Sequence, residues 1–216
     1  MSLHVYGYWR SSATYRLRIA LNLKQLEYQY TPIHLVKDGG QQYSEEYLQL
    51  NPAGLVPAFV DDDEDFTLNQ SMSIIEYIDE RYPEPIKFLP EHALDRARIR
   101  SIAQDIACDI QPLANLRVLN EIETLGCDAD GKAAWARKWI EKGFDGIEKR
   151  LQTRAGKYCF GFDVSLADIV LIPQVYNAIR FKVDMAKYPL IMSIYENCQE
   201  LDAFISAQPE NQPDAI

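Results

Sequence analysis

The hydrophobic period of this chain changes once, at the proline-rich stretch from Pro83 to Pro90, and that change limits the fold more than any other feature. Before it, strand-like and helix-like segments alternate. Leu3 to Tyr8 predicts a strand, and Thr14 to Lys24 a helix with Leu17, Ala20 and Leu21 on one face. Tyr28 to Leu35 alternates as a second strand would. Ser44 to Leu50 suits a short helix with Glu45 and Glu46 in its first turn. Pro57 to Asp61 and Phe66 to Leu68 flank the acidic turn Asp61-Asp62-Asp63-Glu64-Asp65, a hairpin whose tip is expected to be solvated. Ile74, Ile75 and Ile78 then fall at helical spacing until Tyr82-Pro83 stops the helix. The order βαβα then ββα is that of a thioredoxin-like domain.

Behind the prolines the strand signals nearly vanish. Ile99, Ile102, Ala103, Ile106, Ile110 and Leu113 predict one long amphipathic helix, and Trp139, Ile140, Phe144, Ile147 and Leu151 a second. Ser165-Leu166-Ala167-Asp168 is a capping-box-like start for a third, with Asp in place of the usual Glu, and Pro173 is expected to kink or interrupt it. Ile191 to Phe204 suits a last helix, and the polar tail from Gln208 is expected to be loose. The expectation is therefore an α/β thioredoxin-like domain over residues 1–84, followed by an all-α helical bundle over 90–216. At 216 residues the chain can bury a real core in either part.

Charge and cysteine usage narrow the partners. A formal charge of −10 argues against nucleic acid or an anionic membrane surface, and no apolar run is long enough to span a bilayer. A small acidic substrate stays open, because a few local basic residues can dominate a binding site. The four cysteines, Cys108, Cys127, Cys159 and Cys198, are scattered without a CxxC pair and read as reduced thiols in a cytoplasmic protein. His4, His34 and His92 lie far apart, with no metal-ligand spacing, so no metal centre is expected.

Two places carry chemistry. The first strand runs through Trp9-Arg10 into Ser11-Ser12, which delivers two hydroxyls to the first turn of a helix. The unpaired N–H groups of that turn favour negative charge, although serines here would also cap any helix. Gln70-Ser71 opens another helix in the same way.

These residues sit inside longer blocks. Ser11-Ser12-Ala13-Thr14-Tyr15-Arg16-Leu17-Arg18-Ile19-Ala20-Leu21 resembles the signature S-S-C-x-W-R-V-R-I-A-L of the zeta-class glutathione transferases, the class that includes maleylacetoacetate and maleylpyruvate isomerases. Lys37-Asp38-Gly39-Gly40-Gln41-Gln42, Asn51-Pro52 with Val56-Pro57, and Gln70-Ser71 with Ile74-Ile75-Glu76-Tyr77 resemble further blocks of that class. So do Ile110-Gln111-Pro112-Leu113 with Asn115-Leu116, and Asn177 with Arg180-Phe181-Lys182-Val183-Asp184. The match runs in order from about residue 3 to about residue 213. It departs at Ala13, where the class has cysteine, and at Tyr15, where it has tryptophan.

The resemblance implies glutathione as cofactor and a homodimer. It places Ser11 as donor to the glutathione sulfur, with Ser12 supporting it or capping the helix, and Ala13 beside them. Val56-Pro57 would be a cis pair whose backbone meets the cysteinyl residue, Gln70 and Ser71 would meet the γ-glutamyl carboxylate, and Gln42 the glycyl end. Gln111, Asn115, Leu116 and Arg117 match class positions lining the cleft, and their spacing puts Gln111 and Asn115 on one helical face. Arg10, Arg16 and Arg180 are candidate anchors for substrate carboxylates, since guanidinium pairs bidentately with them. The implied reaction is cis–trans isomerisation of a maleyl keto-acid. Two other functions remain open at this point: conjugation or dehalogenation of small electrophiles such as α-halo acids, and a catalytically silent binding module, to which the loss of the class cysteine at Ala13 gives weight.

Overall fold

Strand β1 (Leu3–Gly7) buries alternate residues, so Leu3 and Val5 face a core while His4 and Tyr6 lie on the other side of the sheet. The computed structural model describes residues 2–215. Helix α1 (Ser12–Leu23) follows and returns the chain to strand β2 (Gln29–Pro32), which pairs parallel to β1 with Val5 opposite Tyr30. A parallel pair needs such a crossover. Gly7 lets the two elements close up: a Cβ there would stand 2.3 Å from Thr14 Cγ2.

Helix α2 (Glu45–Leu50) leads to the hairpin of β3 (Ala58–Asp61) and β4 (Phe66–Asn69), and then to α3 (Ser71–Arg81). The sheet order is β2-β1-β3-β4, with β3 antiparallel to both its neighbours. Leu17 and Leu21 of α1, Ile74 and Ile78 of α3, and Leu3, Val5 and Phe59 of the sheet form one buried cluster. The acidic hairpin tip is not wholly solvated. Asp61 is fully buried and accepts hydrogen bonds from Tyr77 Oη (2.8 Å) and Tyr82 Oη (3.3 Å), whereas the next four residues are exposed.

The chain divides into two compact units. One takes in everything up to Lys87 together with the residues from Leu201 onward, and the other runs from Phe88 to Glu200. The helical bundle expected over 90–216 therefore ends early, and the last residues join the first unit.

In the helical unit α4 (Ala93–Gln104) gives way to a π-helical turn at Asp105–Ile110 and a 3₁₀ turn at Gln111–Ala114. The single long helix expected through Leu113 is thus broken. Pro112 has no N–H to continue the ladder. Gly143, from a later helix, allows close approach to the break, since a Cβ there would lie 2.2 Å from Ile110 Cδ1. A separate helix, α5 (Leu116–Thr124), starts at Asn115, whose backbone is extended. Then come α6 (Ala129–Leu151), α7 (Leu166–Arg180) and α8 (Pro189–Cys198). Helix α7 runs through Pro173 without interruption, and nearly all of its length is buried. Packing outweighs the lost hydrogen bond there.

The helix expected over Ile191 to Phe204 is two elements, since α9 (Asp202–Ile205) is separate and packs on α1 in the first unit. The tail beyond it is not loose. Pro209 is buried, and Gln212 Nε2 donates to the carbonyls of Ser206 (2.9 Å) and Gln208 (2.8 Å). Among the described residues no helix is long and apolar enough to cross a membrane, and no cluster of His, Cys, Asp or Glu could hold a metal ion.

Candidate active site

Ser11 caps α1. Its Oγ accepts from the Thr14 N–H at 3.2 Å, and its N–H donates to the Tyr8 carbonyl at 3.0 Å, closing a turn through Trp9 and Arg10. Accepting with one lone pair leaves the hydroxyl proton to point elsewhere. Ser12 is the first helical residue and is buried, while Ser11 and Ala13 are half-buried on the outer side of the turn. The cap is therefore Ser11 and not Ser12. Arg10, half-buried beside it, lies over the Trp9 ring at 5.2 Å.

The start of α3 makes a second donor group in the same unit. Ser71 is its first residue, and exposed Gln70 before it is held at φ 70°, a left-handed conformation uncommon outside glycine. Beneath them Arg16, 2 % exposed, donates from Nη1 to Ser71 Oγ at 3.4 Å. Arg16 thus departs from its expected role. A guanidinium this deep, bonded to Ser71, backs the start of α3 with positive charge rather than reaching out to a substrate carboxylate. N–H groups, a hydroxyl and a buried cation form a donor set that suits a carboxylate.

Between these two helix starts lies the segment before β3. The Val56–Pro57 bond is cis, with Val56 half-buried and Pro57 buried. The preceding Leu55 carbonyl accepts from Tyr47 Oη and Asn51 Nδ2, both at 2.6 Å. Asn51 Oδ1 in turn accepts from the Ala53 N–H and from Asn69 Nδ2. Burial pushes the Tyr47 hydroxyl up to about 12, with the hydrogen bond to Asn51 opposing, so at neutral pH it stays a donor. Asn51 and Tyr47 fix the backbone at Val56, a task the sequence did not reveal beyond Asn51 opening a matched block. Gln42 is buried under the Gly40 turn, its Nε2 donating to the Leu35 carbonyl at 3.4 Å. It braces that loop instead of standing open to a ligand.

The remaining candidates lie in the helical unit. Gln111 is half-buried in the 3₁₀ turn, and Asn115 caps α5 by accepting from the Arg117 N–H at 3.2 Å. Leu116 and Arg117 are exposed in the first turn of α5. Gln111 and Asn115 therefore do not share one helical face, because the chain changes direction between them. Arg180 is exposed at the last turn of α7, with Nη1 donating to Asn177 Oδ1 at 3.3 Å and the guanidinium 4.7 Å from the Phe181 ring centre.

All four cysteines are free thiols, with Cys108 and Cys127 exposed and Cys159 and Cys198 buried. Burial pushes the Cys159 thiol well above its ordinary value, and Asp168 adds to that; Cys198 is raised for the same reasons. Iodoacetamide at pH 8 should therefore label the native protein at Cys108 and Cys127 alone. Ala13→Cys should add a third labelled position, read by peptide mass spectrometry. Labelling of Cys159 before unfolding would contradict the burial described.

Residues 1–80 match the family model for the glutathione S-transferase N-terminal domain. A probable maleylacetoacetate isomerase of Vibrio cholerae is 50 % identical over 216 residues, covering 100 % of this chain and 99 % of the relative. The chain is similar to a holo structure of a maleylpyruvate isomerase, a bacterial zeta-class glutathione transferase, at 43 % identity and a TM-score of 0.94 over 99 % of this chain and 100 % of that one. A maleylacetoacetate isomerase from Methylobacterium extorquens AM1, solved with malonate and glutathione bound, is 38 % identical, with a TM-score of 0.92 over 99 % of each chain.

Proposed function

Since this chain belongs to the zeta-class glutathione transferase and maleylacetoacetate isomerase family, we propose that its Ser11 turn and the start of α3 are the working parts of a glutathione-dependent isomerase of a maleyl keto-acid. The observation that carries the assignment is one unit presenting two helix starts, at Ser11 and Ser71, with the buried Arg16 guanidinium behind the second.

When bound, glutathione supplies a sulfur nucleophile that adds reversibly to a conjugated double bond, so that the bond can rotate, and the cofactor is returned unchanged. Ser11 donates its hydroxyl proton in a hydrogen bond to the sulfur, and the N-terminus of α1 favours the negative form. Gln70, Ser71 and, through Ser71, Arg16 hold the γ-glutamyl carboxylate. Val56, fixed by Asn51 and Tyr47, offers backbone groups as an added strand would. Ser12 supports the turn from inside. Ala13 presents no thiol, so the reaction rests on Ser11 and the helix dipole. Gln111, Asn115, Leu116 and Arg117 are assigned to glutathione, and Arg10 and Arg180 to the substrate carboxylates. Holding both carboxylates defines the axis about which the maleyl chain turns.

The substrate assignment is tested by Arg180→Ala. KM for a maleyl dicarboxylate should rise about tenfold, or roughly 1.4 kcal/mol, with little change for an uncharged electrophile. A larger effect is not expected, because an exposed guanidinium is screened by water. Equal losses for both compounds would remove Arg180 from the substrate site. The same reading includes a homodimer in the cytoplasm, where its thiols stay reduced. Light scattering at micromolar concentration should give twice the chain mass, and a monomeric mass would reject the dimer.

A further inference from the structure

We propose that the carboxy-terminal tail is a positioning element for the Ser11 turn, acting through Asp214 on one side of Trp9 and Arg18 on the other. The Trp9 N–H donates to Asp214 Oδ2 at 3.0 Å, and the Trp9 carbonyl accepts from Arg18 Nη2 at 2.9 Å. Trp9 is the second residue of the turn closed by the Ser11 N–H on the Tyr8 carbonyl, so both of its peptide groups are held where the chain bends toward Ser11. Neither holding residue hydrogen-bonds to the Ser11 side chain. Their effect passes through the backbone.

The strap is built, not casual. Arg18 is fully buried, and its Nε donates to the Ala207 carbonyl at 3.0 Å, so one guanidinium ties the turn to the start of the tail. Asp214 Oδ2 also accepts from Tyr30 Oη at 3.3 Å, which anchors the carboxylate to β2. Asn22 Nδ2 of α1 donates to the Ala203 carbonyl, which docks α9 on α1, and Asn211 Nδ2 donates to the Ile205 carbonyl, which folds the tail back on the end of α9. A charge-assisted bond to a backbone N–H is stronger than a neutral one. A turn fixed at both peptides of Trp9 holds the backbone that carries Ser11 before any ligand arrives, and catalysis by a positioned donor requires such placement. The inference rests on the assignment of Ser11 to the glutathione sulfur.

The test uses the full chain with Asp214→Ala, Asp214→Asn and Ser11→Ala. Three quantities are read: hydrogen exchange at the Trp9 amide without ligand, kcat against KM, and the thiol titration of bound glutathione followed by thiolate absorbance. Asp214→Ala should speed Trp9 exchange, raise the thiol pKa and lower kcat about tenfold, within the hundredfold that a displacement of about 1 Å can cost, with glutathione affinity kept. Asp214→Asn retains an oxygen for the Trp9 N–H and should recover most of kcat. If Asp214→Ala does not fold, Tyr30→Phe removes the other donor to the same oxygen and should move the three readouts in the same direction. Wild-type kcat and thiol titration in Asp214→Ala, beside their loss in Ser11→Ala, would overturn the tail's role alone. Parallel losses of kcat and glutathione affinity would also overturn it, by showing a tail that only holds the fold. An unchanged thiol titration in Ser11→Ala would instead remove the Ser11 assignment, and this inference with it.

Discussion

Ser11→Ala should lower glutathione-dependent turnover by on the order of 10²- to 10³-fold, the cost of removing one preorganised donor from a developing or resident negative charge, while glutathione affinity should change little. The asymmetry follows from the division of labour. On the proposed assignment the peptide is held by groups at Val56, Gln70 and Ser71, whereas Ser11 meets only the sulfur. A second consequence comes from the cap. Ser11 Oγ accepts from the Thr14 N–H, so alanine also strands a first-turn donor and costs about 1 kcal/mol of stability. Ser11→Thr keeps hydroxyl and cap and should retain most of the turnover. Kinetics and calorimetric glutathione titration on the three proteins decide the matter. Equal losses of turnover and affinity in the alanine variant, or full activity, would show that Ser11 has another role.

The second large effect is on stability, at Asp168. This carboxyl is fully buried, with Oδ1 accepting from the Cys159 N–H and Oδ2 from the Ser165 N–H and hydroxyl, each at 2.8 Å. It ties the start of α7 to the loop at Cys159. Alanine leaves three donors without that partner in a dry place and should cost about 3–5 kcal/mol, a large share of the 5–15 kcal/mol that holds a typical domain. At this chain length that corresponds to a fall in Tm of about 10 °C or more, measured by circular dichroism. Asp168→Asn keeps one acceptor and should lose less. A Tm within about 2 °C of wild type for Asp168→Ala would mean that the box contributes little.

The elements of the first unit were legible because their periods are local. Alternation in Leu3 to Tyr8 and the isoleucines at helical spacing after Gln70 state strand and helix directly. The box at Ser165 and Asp168 was legible for the same reason, since cap and partner lie three residues apart. The break at Asp105–Ala114 was not, because the apolar period runs on through it. What breaks the helix is Pro112 together with the approach of Gly143, and that approach is a tertiary fact. Candidate residues fared likewise. Serines at a helix start are visible in sequence, but whether an arginine reaches outward depends on packing, and Arg16 is buried against Ser71. The tail read as loose from its polar composition, yet Asp214 meets Trp9 across 205 positions of sequence. No local pattern carries a contact of that range.

Glutathione is expected to take part in the reaction without being consumed, with no cysteine at Ala13 to assist. Purified wild-type protein should be mixed with maleylacetone, with and without glutathione, while the cis isomer and the total glutathione thiol are followed together. Isomerisation over many turnovers is expected with glutathione and none without it, with a constant thiol count. Thiol lost in step with substrate would mean conjugation. An inert wild type made active by Ala13→Cys would contradict the account outright.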